Sequence, residues 1–237
     1  MKLIKTCSLV ILLFSSIMHG QENRVSKDYF ALPTSLGQKQ FKHILSFSSA
    51  RLPEDFIEEA SDFLKAPLFG YSAQYGLPKN FIALGNVSTN IITWKLALGG
   101  KWYYAIDKFS FSVGYDVAYL YGQLKQFGFN SKISGWMNFP NLTLGYELNN
   151  MAFSLITEAS FVTSMTEYQD DIKISSDYNE FSGIAFTLLL EQPLWKDRYL
   201  SIGIKLNYSN FYYPGWAAYE TFDKYYWIPE FKVGLVL

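Results

Sequence analysis

The chain has 237 residues and a formal net charge of -1 at pH 7; 49% of its residues are hydrophobic, 19% are aromatic and 17% are charged. This near-neutral balance, without clusters of basic residues, excludes a nucleic-acid-binding protein. A mean hydropathy near zero in a chain so rich in aromatic rings favours an apolar outer surface around a polar interior. The length is compatible with one all-β domain.

Residues 1-20 have the layout of a cleaved secretory signal. Two lysines precede an apolar run from Leu9 to Met18, and Gly20 supplies a small residue at the end. The run is shorter than the ~20 residues that a membrane-spanning helix needs, so we expect cleavage after Gly20. Cys7 lies before the apolar run and would be removed with the signal, so we expect neither lipidation nor thiol chemistry.

The chain beyond the signal repeats a strand pattern with a period of two. In the last run, Trp227 and Phe231 fall on one face, whereas Glu230 and Lys232 fall on the other. No stretch of 18 apolar residues follows the signal, so any membrane passage must be made by strands. Residues 21-40 are polar and aperiodic, and we predict a periplasmic N-terminal tail. About ten strand-like runs follow, at 41-50, 66-77, 80-88, 91-106, 108-122, 136-148, 151-165, 181-194, 199-212 and 226-237.

The connections between these runs alternate in length. Tight turns are predicted at 77-80, 107-108, 149-150 and 196-198, and long loops at 51-65, 123-135, 166-180 and 213-225. Short turns opposite long loops are typical of outer-membrane barrels. The connection near Ser88 is short where a long one is expected, and the strand count falls toward eight if it is only a bend. The sequence therefore predicts an all-β, transmembrane antiparallel barrel of about ten (eight to ten) strands over 41-237.

The alternation assigns each run an outward and an inward face. Apolar stripes include every second residue from Phe109 to Tyr121, from Ile92 to Leu98 and from Leu200 to Tyr208. A barrel of this size is about wide enough to be filled by its own side chains, and buried charges there must be paired or hydrated. We therefore predict a plugged lumen with an ion-pair network of Lys95, Lys101, Asp116, Glu147, Glu158, Glu191, Lys205, Glu230 and Lys232. Glu191 and Lys205 flank a tight turn and are expected to be neighbours in the sheet.

Two segments stand out from the strand pattern. Residues 53-65 have the signals of an amphipathic helix, which could cap the barrel, lie on the membrane or dock a partner. The stretch from Tyr208 to Trp227 is unusually aromatic, and we expect most of it in the interfacial girdle. Exposed rings would suit recognition of a protein or glycan. The candidate partner-binding residues of the two segments are Phe56, Ile57, Phe63, Trp216, Tyr219 and Phe222.

Signals for catalysis or metal binding are weak. His43 is the one histidine left after removal of the signal, and it alternates with apolar residues, which favours an interfacial position over a catalytic one. The acidic pair Asp170-Asp171 lacks the spacing of a Ca²⁺ loop. We expect no metal, no cofactor and no enzymatic activity.

The chain resembles the outer-membrane β-barrel proteins of the Bacteroidota group. The resemblance lies in a signal that ends just before Gln21, in aromatic-rich strands from about Phe41 onward and in a last strand that runs to the C-terminus. The chain departs from other outer-membrane barrels in its final residue, Leu237, where Phe is common. The resemblance implies insertion by the outer-membrane assembly machinery, contact with outer-membrane lipid and lipopolysaccharide, and no catalysis.

Three functions remain open at this point. The first is a structural or accessory barrel, a subunit of a larger assembly, secretion or uptake complex with other outer-membrane proteins as partners. The second is a narrow pore for small solutes, and the third is a lipid-modifying enzyme. The predicted filled lumen and the absence of a recognisable catalytic set favour the first.

Overall fold

The computed structural model describes residues 29-33, 36, 38-52, 65-126, 129-218 and 224-237. Within these ranges, ten antiparallel strands close into one barrel in which β1 pairs with β10 and every other pair is formed by strands consecutive in sequence. Helices of the described residues are all too short or too polar to cross a membrane. The strands are β1 (Phe41–Arg51), β2 (Lys65–Leu77), β3 (Phe81–Thr89), β4 (Thr93–Ile106), β5 (Phe109–Gln126), β6 (Phe129–Leu148), β7 (Met151–Gln169), β8 (Ile172–Trp195), β9 (Arg198–Ser209) and β10 (Tyr226–Val236).

The predicted fold class is confirmed, and the strand count is ten. The short connection near Ser88 is a genuine turn, because β3 ends at Thr89 and β4 begins at Thr93. The four predicted tight turns of the opposite rim are also present, and each contains a residue with a positive φ: Asn80 at 62°, Asp107 at 52°, Asn149 at 54° and Lys196 at 50°. Asn and Asp tolerate this conformation better than most residues, which explains their use there.

Two of the predicted long loops are wrong. Residues 123-135 and 166-180 mostly continue the strands of two hairpins, β5–β6 and β7–β8, with Gln123 paired to Lys132 and Thr166 paired to Ser176. These extensions rise beyond the apolar band of the barrel, so both faces meet water over most of their length; Ile133, near the barrel, is a buried exception. A strand that is wet on both faces does not show alternating hydrophobicity, which is why the sequence pattern favoured loops.

The predicted helix at 53-65 lies almost wholly outside the described residues. Its last residue, Lys65, is the first residue of β2. One short helix that was not predicted does occur, a 3-10 turn over Tyr213–Ala218 in the connection between β9 and β10.

The outward face of the barrel is an apolar band bordered by aromatic rings. Val113 and Leu98 lie in the band with more than half of their surface exposed. Toward the tight turns, Phe109 stacks against Tyr146, and toward the opposite rim Tyr119 stacks against Trp136. An apolar band between two aromatic girdles is the exterior of a membrane-spanning barrel, and it confirms the predicted outward stripes.

A closed lumen as the candidate functional site

The end of the lumen nearer the tight turns is blocked by residues 29-33 and Leu36, which we call the N-terminal plug. Both oxygens of the Glu191 carboxylate hold it: the backbone N–H groups of Phe30, Ala31 and Leu32 donate to them at 3.1, 2.8 and 3.3 Å. A carboxylate that accepts several N–H groups fixes the backbone as a helix cap does. Residues 21-28 of the predicted periplasmic tail over 21-40 lie outside the described residues, whereas Tyr29, Ala31, Leu32 and Leu36 are buried in the barrel.

Side chains of the plug pack among the inward residues of the strands. Tyr29 meets Tyr199 edge to face, with ring centroids 5.1 Å apart, and both rings are almost fully buried. Leu32 lies so close to Gly145 that a Cβ there would approach it to 2.5 Å. The sequence signal for this packing was present in the aromatic and aliphatic residues Tyr29, Phe30 and Leu32, which a solvated tail would not need.

The opposite end of the lumen is closed by the connection between β9 and β10, and we call residues 211-216 the outer cap. The indole N–H of Trp216 donates to the hydroxyl of Thr93 at 2.7 Å, and the amide of Asn90 donates to the carbonyl of Pro214 at 2.6 Å. The hydroxyl of Tyr213 lies 3.0 Å from that of Ser88. The cap is therefore bonded to β3 and β4, across the barrel from the strands that carry it.

An apolar cluster lies beneath the outer cap and extends down the inner face of β5, β6 and β7. Phe211 and Trp216 of the cap pack there against inward side chains that are nearly all fully buried, namely Leu120, Ile133, Met137, Val162 and Met165. This corrects the expectation of a uniformly polar interior. The cap covers these positions, so they are shielded from water and behave as the core of a soluble protein.

Two connected cavities lie between the plug and the cap, with volumes of about 130 and 280 Å³. The space that they share is lined by both charged and small polar side chains, and we call it the central chamber: its residues include Ser46, Asn86, Lys95, Glu158, Lys205 and Lys232. The ammonium of Lys205 donates to Glu158 at 3.1 Å. Both residues of this ion pair belong to the predicted network.

The nine charged residues of the predicted network all lie on inward faces, but they fall into separate groups. Lys95, Glu158, Lys205, Glu230 and Lys232 surround the outer cavity. Lys101, Asp116 and Glu191 line the cavity nearer the plug. Glu147 lies near the end of β6 and interacts electrostatically with Tyr29 of the plug.

The expected contact between Glu191 and Lys205 is wrong in detail. Their strands are adjacent, as predicted, but Glu191 pairs with Ser201 and Lys205 pairs with Thr187, so the two side chains lie at different levels of the barrel. Glu191 binds the plug, and Lys205 binds Glu158 instead. A tight turn determines which two strands pair, whereas the number of residues between a side chain and the turn determines its level in the barrel.

A glycine makes room for one of the acids near the plug. A Cβ on Gly99 would overlap with the Asp116 carboxylate and the carbonyl oxygen of Tyr115. The Asp116 carboxylate accepts a hydrogen bond from the amide of Asn141 at 3.0 Å. The missing side chain of Gly99 therefore lets Asp116 lie flat over β4.

Of the six predicted partner-binding residues, Trp216 is the one that the structure describes. Trp216 is 7% exposed and belongs to the outer cap, so its assignment to the girdle or to a partner-binding surface is wrong. Tyr219 and Phe222, together with Phe56, Ile57 and Phe63 of the predicted helix, lie outside the described residues.

His43 lies on the lipid-facing side near the start of β1. Its ring contacts Phe41 and Tyr71, and its Nδ1 is 3.3 Å from the Tyr71 hydroxyl. This is the interfacial position that the alternation predicted. In the parts of the chain that the structure describes, no group of three His, Cys, Asp or Glu residues could hold a metal ion.

The extended hairpins form a wall beyond the outer girdle. Lys132 of β6 donates to Asp171, in the turn between β7 and β8, at 2.7 Å. This hydrogen bond and the lysine charge lower the pKa of the Asp171 carboxyl. The wall also carries exposed apolar side chains: Ile172 and Tyr178 are more than half exposed.

Ten closed strands, an apolar band between aromatic girdles and a plugged polar lumen define an integral β-barrel of the outer-membrane type. No protein-family model and no curated protein matches this chain.

Solved structures with similar strand arrangements include neisserial surface protein A, at 12% identity over 83% of this chain and 96% of that one, with a TM-score of 0.39. Ail, the attachment invasion locus protein of Yersinia pestis, matches at 7% identity over 85% and 100%, with a TM-score of 0.29. The N-terminal β-barrel domain of Pseudomonas aeruginosa OprF matches at 12% identity over 85% and 99%, with a TM-score of 0.27. Similarity at this level transfers no function, so the functional conclusion rests on the residues of this chain.

Proposed function

We propose that this protein is a non-conducting barrel of the outer membrane that serves as an accessory subunit of a larger assembly, secretion or uptake complex. The observation that carries the proposal is closure of the lumen at both ends. The N-terminal plug is bound by Glu191, and the outer cap is bound by Thr93 and packed into an apolar cluster. A barrel of ten strands has little space to spare, so we infer that two such closures keep the lumen from conducting.

The wall formed by the extended hairpins supports the proposed role as a subunit of a larger complex. Ile174 lies seven residues before the girdle residue Phe181 along β8, which is roughly 23 Å of strand. Apolar side chains held beyond the membrane interface favour a protein partner over lipid. We therefore place the docking surface for another outer-membrane protein on the β7–β8 hairpin, around Ile174 and Tyr178.

Native purification in mild detergent tests the accessory role. We expect the protein to co-purify with a defined outer-membrane partner, and Ile174→Asp combined with Tyr178→Asp should release that partner while the barrel stays folded. Lys125→Asp, on the neighbouring hairpin, is the control for a charge change beyond the membrane. A barrel that purifies alone from native membranes, or a partner retained by the double variant, would contradict the proposed role.

A narrow pore is the second candidate, and the central chamber favours it. The two cavities already form a polar space inside the barrel, so displacement of one closure would open much of a path. Planar-bilayer recordings separate the candidates. We expect no stable conductance from the unmutated protein, and a large, lasting conductance would promote the pore to first place.

We also propose that the protein is not a lipid-modifying enzyme. The position of His43 in the aromatic girdle supports this, because its ring contacts Phe41 and its Nδ1 lies near the phenol hydroxyl of Tyr71, not near a serine or threonine hydroxyl or a carboxylate. Mass spectrometry of outer-membrane lipids from a deletion strain should show no change in acylation.

A further inference from the structure

The outer cavity of the central chamber is lined by more ammonium groups than carboxylates. Lys95, Lys205 and Lys232 surround the outer cavity together with Glu158 and Glu230, which leaves an excess of one positive charge. Each of the three ammonium groups lies within electrostatic reach of the other two. Like charges held together away from bulk water repel strongly unless an anion lies between them.

The carboxylates of the chamber are already engaged. Glu158 accepts from Lys205 at 3.1 Å, and Glu230 accepts from the hydroxyl of Tyr212 at 3.3 Å. Deeper in the lumen, Glu191 is bound to the plug. Only the bond from Lys205 to Glu158 joins an ammonium directly to a carboxylate in the outer cavity.

Lys95 and Lys232 have hydrogen-bond donors to spare. Among the described residues, neither ammonium has a hydrogen-bond acceptor or a direct ion-pair partner. The Lys95 ammonium lies over the rings of Phe139 and Tyr213, at 5.2 and 5.0 Å from their centroids, which orients it without satisfying its donors. An ammonium carries three donors, so both lysines can bind an additional acceptor.

Small polar groups complete the lining. Asn86 donates to the hydroxyl of Ser72 at 2.8 Å, and Ser46 and Ser48 line the same cavity. A space of about 130 Å³ with ammonium and hydroxyl donors on several sides matches a compact anion with several acceptor oxygens.

We propose that the central chamber is a binding site for a small oxyanion of the phosphate type, held by the ammonium groups of Lys95 and Lys232 with Lys205 beside them. This goes beyond the accessory role and is independent of it, because a non-conducting subunit can hold a bound anion and an anion site can exist without a partner. The plug and the cap enclose the site, so the anion is trapped when the barrel folds and exchanges slowly afterwards.

Folding with labelled phosphate tests the site directly. The mature protein is refolded into detergent micelles with radiolabelled inorganic phosphate and passed through a desalting column. We expect about one phosphate retained per folded barrel. Lys95→Met and Lys232→Met should each reduce retention by about tenfold or more, because a charge-assisted hydrogen bond is lost. Lys132→Met, which removes a lysine from the wall outside the lumen, should retain phosphate like the unmutated protein.

Heat modifiability on gels identifies the folded fraction, so retention is counted per folded barrel. A second measurement needs no variant: phosphate should raise the thermal unfolding midpoint of the unmutated protein above that in chloride of equal ionic strength. The proposal would be overturned by two results together. Barrels refolded with phosphate would retain no more of it than barrels given phosphate only after folding, and phosphate would leave the thermal unfolding midpoint unchanged. Equal retention in folded Lys95→Met and Lys232→Met barrels would overturn it as well.

Discussion

The carboxylate of Glu191, on β8, accepts the backbone N–H of Ala31 at 2.8 Å, although the two residues are 160 positions apart in the chain. Together with the N–H groups of Phe30 and Leu32, this contact determines where the N-terminal plug lies. One buried side chain thus holds a whole backbone segment inside the barrel.

Glu191→Gln should loosen the plug. The amide that replaces the carboxylate offers one acceptor oxygen without a charge, so part of the binding to the three N–H groups is lost. We expect a loss of about 1 to 3 kcal/mol in the free energy of unfolding, measured by urea titration in liposomes. Asp197→Asn makes the same chemical change in an exposed tight turn and should be nearly silent. Equal effects of the two variants would mean that Glu191 does not hold the plug.

The ion pair between Lys205 and Glu158 should show coupling in a double-mutant cycle. Lys205→Met and Glu158→Gln each leave a charged partner in a partly enclosed space, whereas the double variant removes both charges. We expect a coupling free energy of about 0.5 to 3 kcal/mol from unfolding titrations. Additive effects would show that water or a bound anion, and not the partner, neutralises each charge.

The outer cap should control leakage through the lumen. Trp216→Ala removes both the hydrogen bond to Thr93 and the largest ring of the apolar cluster. We expect brief conductance events in planar bilayers, which the unmutated protein lacks. Thr93→Val keeps the shape of the acceptor residue and removes only its hydroxyl, so it should leak less than Trp216→Ala. Silent recordings from Trp216→Ala would show that the plug alone seals the barrel.

Gly99 and its neighbour Gly100 provide a matched pair of substitutions. A methyl group on Gly99 would overlap with Asp116 and the backbone of β5, whereas one on Gly100 would meet its nearest atom, the carbonyl oxygen of Ile82, at 3.5 Å. Gly99→Ala should therefore destabilise the barrel by about 1 to 3 kcal/mol, and Gly100→Ala should have little effect. Unfolding titrations of the two variants under one set of conditions compare them directly.

Depth in the membrane should scale the cost of outward charges. Val113→Arg places a charge between the two girdles and should cost about 2 to 4 kcal/mol, whereas Tyr121→Arg, at the outer girdle, should cost at most about 1 kcal/mol. Unfolding in liposomes measures both. A reversed order would mean that the apolar band lies elsewhere on the barrel.

The barrel could be predicted because its outward face is read directly from alternation. Phe109 to Tyr121 show the lipid face at every second position, and inward charges such as Lys205 mark the other face. The lumen was harder to predict, because its contents come from segments without periodicity. Tyr29 and Trp216 reach their positions through tertiary contacts, with Tyr199 and Thr93, that no local pattern encodes. Glu191 and Lys205 lie at different levels of the barrel because they are at different distances from the turn. Knowing only that their strands are adjacent does not reveal this difference.

The N-terminal plug also bears on the order of assembly. Besides its bonds to β8, its carbonyl groups accept from Lys42 of β1 at 3.3 Å and from Gln74 of β2 at 3.0 Å. In the open sheet, β1 and β8 lie near opposite edges, and pairing of β1 with β10 leaves only β9 and β10 between them. The plug is bonded to strands on both sides of this seam, so it links them independently of the β1–β10 pairing. The residues that seal the finished barrel can therefore act earlier as an internal template that shortens the search for closure.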